Sequence, residues 1–130
     1  MSVVYVDSSA IVKLVIWERD SDALRRYLSS AGQLTASILA VVEVARAVAR
    51  VAPGSAAAAA AVFESLTVIG LDARTAARAG SLGPAGLRTL DAIHLATALE
   101  LGPELAAFVS YDERLSDAAR AKGLTVIAPS

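Results

Sequence analysis

The sequence contains no cysteine, which excludes disulfides and any metal site built on thiolates. No uninterrupted apolar stretch reaches the 18 or so residues that a membrane-spanning helix requires. Asp7 and Lys13 interrupt the first apolar segment and no basic region precedes it, so no secretory signal is legible and a cytoplasmic location is the expectation. Basic charge is not in excess either. Twelve Lys and Arg stand against 13 Asp and Glu, for a formal charge of −1, which argues against a nucleic-acid binder that relies on a broad basic face.

What the chain has in quantity is apolar side chains, 55% of its 130 residues, with a mean hydropathy of +0.56. Alanine supplies much of this, including the run from Ala56 to Ala61, and alanine is a weak hydrophobe with the best helix propensity. The surplus implies that some surface is covered by a partner or by a second copy. The length suits one domain over residues 1–130 with a single core. No linker, internal repeat or second domain is visible.

Short apolar runs alternate with helical patterns along the chain. Val3–Val6, Leu34–Ala36, Thr67–Leu71, Ala107–Ser110 and Leu124–Ala128 read as strands. Helices are expected over Ser8–Ile16, Ser21–Leu28, Ile38–Val51, Ser55–Leu66, from Asp72 to about Ala79, Leu90–Leu101 and Glu113–Ala121. Ser8 or Ser9, Asp20 or Ser21, Ser55 and Asp72 are the candidate N-caps. Pro53-Gly54, Gly80–Gly86 and Gly102-Pro103 punctuate the pattern. Continuous apolar strands interleaved with helices predict an α/β fold, a parallel and roughly five-stranded central sheet with helices on both faces.

In such sheets, sites form beyond the carboxyl ends of the strands, where strand order reverses. Asp7 follows the first strand and Asp112 the fourth. Glu43, Arg46 and Arg50 are the only residues in ILAVVEVARAVARV that are not apolar, and they form one line along a helix face. Asp91 stands in the first turn of TLDAIHLATALEL, where the helix dipole favours a carboxylate. The other acids, Asp117 among them, lie in polar stretches or at helix ends, where solvation explains them. Each of the four also has a structural account: Asp7 as a turn acid, Glu43 paired with Arg46, Asp91 stabilising its helix, Asp112 as an N-cap.

Four carboxylates in one pocket repel one another, and Mg2+ or Mn2+, which prefer oxygen ligands, would relieve this. Such an ion suits phosphodiester hydrolysis by acidifying water and offsetting charge at phosphorus. With those four acids set aside the formal charge becomes +3, carried largely by arginines suited to phosphate. Ser8 and Ser110 read as caps or as donors to the acids rather than as nucleophiles, because no histidine is placed to activate them. His94, the only histidine, lies three residues after Asp91; a lone helical histidine is ordinarily a packing or surface residue.

Four segments, YVDSSAIVKL, TASILAVVEVARA, LRTLDAIHLATAL and FVSYDERLSDAARAKGLTVIAPS, together resemble PIN-domain ribonucleases, most closely the VapC-type toxins of bacterial and archaeal type II toxin–antitoxin pairs. The resemblance spans almost the whole chain, in the family's order. It implies a three-layer α/β/α sandwich and a Mg2+- or Mn2+-dependent endoribonuclease. The family's four acids fall on Asp7, Glu43, Asp91 and Asp112. It implies that the three aspartates hold metal, and that Glu43 holds a second metal or orients and deprotonates water. It places the small hydroxyl residue of the last motif at Ser110, with Ser8 as a further supporting donor and Arg46 and Arg50 as RNA phosphate contacts. The implied partners are a cognate VapB-type antitoxin, an RNA such as tRNA or another structured RNA, and a second copy in a homodimer.

Rival readings are distinguishable. A receiver-like phosphoacceptor domain would use Asp72 after the third strand, but the lysine it needs after the fifth is missing. A haloacid-dehalogenase-type phosphatase would need an Asp two residues after Asp7, where Ser9 stands. A catalytically weak RNA-binding or protein-interaction module gives no reason for lone acids at all four positions.

Overall fold

The computed structural model describes residues 2–130. Five strands, β1 (Val3–Val6), β2 (Gln33–Ser37), β3 (Thr67–Ile69), β4 (Leu105–Val109) and β5 (Val126–Ile127), form one parallel sheet in the order β3-β2-β1-β4-β5. The chain steps outward from β1 in one direction through β2 and β3, then returns to place β4 on the other side of β1. The reversal of strand order therefore lies between β1 and β4.

Seven α-helices among the described residues cover the two faces, making a three-layer α/β/α sandwich. On one face, α1 (Ser8–Val15), α2 (Ser21–Ser29), α3 (Ile38–Val51) and α4 (Ala56–Glu64) pack on Val4, Val6, Ala107 and Val109. On the other, α6 (Thr89–Leu99) and α7 (Glu113–Ala121) cover Tyr5 and Phe108, and α5 (Ala73–Ser81) packs on α6 through Ala79, Ala92 and Ala96. Neighbouring residues of a strand thus belong to different cores, as the alternation of a pleated strand requires. Both faces of β1 are covered, and all four of its residues are buried. That explains why VVYV reads as a continuous apolar run rather than an alternating one.

The expected element order is observed, with differences at the ends. The interior strand β2 extends over Gln33–Ser37, with a hydrogen-bonding neighbour on each side. The edge strands are short: β5 pairs only through Phe108 and Val109, and β3 ends at Ile69, level with the end of β2. The α5 helix runs on to Ser81, into the stretch expected to be loop. A 3-10 turn over Gly102–Glu104 lies between α6 and β4.

The capping of α1 also differs from expectation. Asp7, not Ser8 or Ser9, is the N-cap: its backbone is extended and Oδ1 accepts the Ala10 amide at 3.0 Å. Ser8 already lies within the helix. Asp20 and Ser55 make no side-chain capping bond. Ser21 instead ties the α1–α2 connection, accepting from the Glu18 amide and donating to the Lys13 carbonyl.

Candidate active site

The carboxyl ends of β1 and β4 open into a crevice whose floor is Asp7. The Asp7 amide donates to the Val109 carbonyl at 3.1 Å, which sets Asp7 beside Ser110. Asp7 is only 2% exposed. Its Oδ1 accepts from Ser9 Oγ at 2.6 Å and from the Ala10 amide, and its Oδ2 accepts from Ser110 Oγ at 2.5 Å. Burial pushes the Asp7 carboxyl above its ordinary value, against the pull of these three donors. Ser9 Oγ also accepts from the Tyr111 amide at 2.9 Å, joining the start of α1 to the end of β4.

Asp112 stands two residues beyond Ser110. Its Oδ1 accepts the Leu115 amide and caps α7, while its own amide donates to Ser110 Oγ at 3.1 Å. Asp91, in the first turn of α6, is half-buried, and no protein group among the described residues donates to it. Burial, followed by the charge of Asp112 and more weakly of Glu43, pushes the Asp91 carboxyl above its ordinary value.

Glu43 enters from α3. Its Oε1 accepts from Ser8 Oγ at 2.7 Å and sits 2.6 Å from His94 Nε2. Burial pushes this carboxyl up, but the hydrogen bonds from His94 and Ser8 outweigh it and hold Glu43 below its ordinary value. A cavity of about 430 Å³ adjoins this corner, lined by Ser8, Glu43, Arg46, Arg50 and Leu90 among others. Arg46 and Arg50 are exposed along its α3 side.

A family model described as PIN domain matches residues 4–121. The chain belongs to the PIN-domain family. It is 47% identical over 130 residues to Ribonuclease VapC46 of Mycobacterium tuberculosis, covering 100% of each chain, and so stands with the VapC-type members of that family. Its fold is similar to that of the M. tuberculosis toxin VapC20, described as cleaving the sarcin–ricin loop, with a TM-score of 0.79, 21% identity and coverage of 97% of this chain and 99% of the other. A toxin–antitoxin complex from Klebsiella pneumoniae superposes with a TM-score of 0.74 at 20% identity, covering 98% of each chain.

The candidate donors are all carboxylate oxygens, the set Mg2+ and Mn2+ prefer. Asp91 faces like charge from Asp112, offset only in part by neighbours such as Arg88, and no group among the described residues donates to it, which is the electrostatic demand a cation meets. Among the described residues, however, no group of three or more His, Asp or Glu side chains is arranged to hold a metal ion by itself. That arrangement still fits Mg2+, which commonly takes one or two carboxylates and completes its shell with water.

Of the four acids expected from the sequence, Asp91 feels the charges of Asp112 and Glu43, Asp7 and Asp112 are joined through Ser110, and Ser8 and Ser110 each donate to one of them. Asp72 of the receiver-like alternative caps α5 beyond the edge strand β3, through the Thr75 amide at 2.8 Å. His94 is the residue sequence reasoning passed over. It is 2% exposed and bonded on both ring nitrogens, to Tyr5 and to Glu43. Its position three residues after Asp91 was the available signal, but nothing in the sequence shows that α3 crosses to meet it. No helix among the described residues is long and apolar enough to cross a membrane.

Proposed function

We propose that this PIN domain is a Mg2+- or Mn2+-dependent endoribonuclease, the toxin of a VapBC-type pair silenced by a cognate VapB-type antitoxin. The observation that supports the reading is pairwise: Asp91 feels the charges of Asp112 and Glu43, and Ser110 joins Asp7 to the Asp112 backbone at the β1–β4 switch point. The 47% identity to a ribonuclease over the full length supports the choice of RNA as substrate.

Asp91 and Asp112, with Asp7 behind them, would hold the ion. When bound, it supplies a Lewis acid that lowers the pKa of water and offsets charge at phosphorus. Glu43 remains ionised because His94 and Ser8 stabilise its carboxylate, and through Oε2 it orients the attacking water. Arg46 and Arg50, exposed beside Glu43, contact RNA phosphates. Ser110 keeps Asp7 and the Asp112 backbone in register.

Ile38, Val41, Val42 and Leu90 are exposed close to this corner, and a more apolar groove of about 520 Å³ runs between α3 and α4 past Val41, Val48 and Phe63. These surfaces support coverage by the antitoxin, and self-association into a homodimer as a further expectation.

The test is cleavage of a broad RNA pool, tRNA included, by the purified protein with Mg2+ or Mn2+, beside EDTA and an Asp7→Asn control. Cleavage that requires the metal and disappears in Asp7→Asn is expected. Equal behaviour of wild type and Asp7→Asn sinks the reading.

A further inference from the structure

We propose that His94 is a positioning residue: it holds Glu43 through its Nε2–H, and the buried hydroxyl of Tyr5 fixes the imidazole tautomer that permits this. The inference rests on the reading of Glu43 as the acid that orients water.

The hydrogen-bond directions follow from what each atom has to give. Glu43 Oε1 is a carboxylate oxygen and only accepts. Ser8 Oγ spends its one proton on that oxygen at 2.7 Å, so toward His94 Nε2, 3.2 Å away, it also acts as an acceptor. An unprotonated Nε2 would direct its lone pair at two acceptors, one of them at 2.6 Å. Nε2 therefore carries a proton and donates to both.

On the other side of the ring, Nδ1 lies 2.6 Å from the Tyr5 hydroxyl. Tyr5 is 0% exposed and stacks on Phe108, ring centroids 5.2 Å apart and planes 9° from parallel. A phenol carries its proton at neutral pH, and here it has no access to solvent. That proton needs an acceptor where water does not reach, and Nδ1 is the partner at hydrogen-bond distance. A doubly protonated ring would turn Nδ1 into a donor and leave the phenol proton facing another proton. The chain runs Tyr5 O–H to Nδ1, then Nε2–H to Glu43: a neutral imidazole with one tautomer.

The consequence is geometric. Glu43 belongs to the helical layer on one face of the sheet and His94 to the layer on the other. A glutamate on a half-buried helix face otherwise samples several rotamers. Two donors on Oε1 confine it and leave Oε2, which has no protein partner among the described residues, for water. This is the way partners outside a site orient the groups inside it.

Because His94 is the only histidine, 15N-labelled histidine gives a single imidazole to observe by NMR. At neutral pH the wild type is expected to show Nε2 protonated and Nδ1 bare. Tyr5→Phe, which keeps the stacking ring, should mix the tautomers, and Glu43→Gln should shift the Nε2–H resonance. In RNA cleavage, His94→Ala should lower kcat by about 10- to 100-fold with little change in KM, and His94→Gln, which restores an N–H donor, should recover part of the loss. The His94→Ala, Glu43→Gln double variant should be no slower than Glu43→Gln alone. A protonated Nδ1 in the wild type, or His94→Ala and Tyr5→Phe proteins that cleave like wild type, would overturn the inference. A wild type that cleaves no RNA defeats the nuclease reading instead, and the Glu43→Gln spectrum still decides the hydrogen-bond chain: an unmoved Nε2–H resonance refutes it.

Discussion

The two walls of the crevice treat their carboxylates in opposite ways. On the α3 wall, Glu43 is half-buried yet held below its ordinary value, because Ser8 and His94 both stabilise its charge. On the α6 and α7 wall, Asp91 is half-buried and pushed up, by burial and by the charge of Asp112, which Arg88 only partly offsets, and no group among the described residues donates to it. Asp7 on the floor is the intermediate case, with three donors that burial still outweighs. A fold that satisfies one carboxylate internally and leaves another facing like charge has divided their roles. The first is stabilised within the fold, and the second carries the electrostatic demand that a cation would meet.

That contrast can be broken most sharply by comparing Asp91→Asn with Glu43→Gln. Both should lower RNA cleavage by more than about 100-fold, beyond the range typical for residues that act only through others. They should differ in metal response. Mg2+ is expected to raise the Tm of wild type and of Glu43→Gln, measured by thermal unfolding, but to leave Asp91→Asn unmoved. A full Mg2+ response in Asp91→Asn would place the cation on the wrong wall.

A smaller effect is expected where the floor meets the α7 wall. Ser110 is fully buried and bonds both Asp7 Oδ2 and the Asp112 amide. Ser110→Ala removes both contacts and should cost about 1–3 kcal/mol of stability in urea unfolding. A cost inside the range of ordinary surface substitutions, about 0.5 kcal/mol, would mean that the floor and the α7 wall are not joined through this hydroxyl.

The smallest expected effect is a difference in pH dependence, measured by urea unfolding in EDTA. Asp91 titrates above its ordinary 3.8 in the folded chain, so its ionisation opposes folding, and the stability present at low pH is lost as pH rises through 3.8 toward the raised value. Asp91→Asn should therefore gain on wild type between about pH 4 and neutrality. Glu43 titrates below its ordinary 4.5; its contribution is complete above that value and lost as pH falls through the lowered one. The deficit of Glu43→Gln should accordingly be largest at neutral pH and shrink as pH falls below 4.5. Parallel curves for the two variants would erase the distinction between the walls.

Much of this was legible before any coordinates. VVYV followed by an acid announces a buried strand that delivers Asp7 to the carboxyl edge, and SYDERL repeats the arrangement at Asp112. Glu43 was visible because its helix is otherwise apolar, and Asp91 because it opens one. Less legible were the relations among residues far apart in the chain. Asp7 took the capping role expected of Ser8 or Ser9, which freed Ser8 to donate to Glu43, 35 residues away. His94 looked like a packing residue because its two partners, Tyr5 and Glu43, arrive from 89 and 51 residues away.

The sequence by itself determined the parallel α/β architecture, the four acids and their places at strand and helix ends, because periodicity, capping chemistry and strand length are local properties of the chain. Only the tertiary structure decided which acid is satisfied and which is left facing like charge. Burial, repulsion and hydrogen-bond direction depend on what the other layers bring within a few ångströms, and no local pattern encodes that distance.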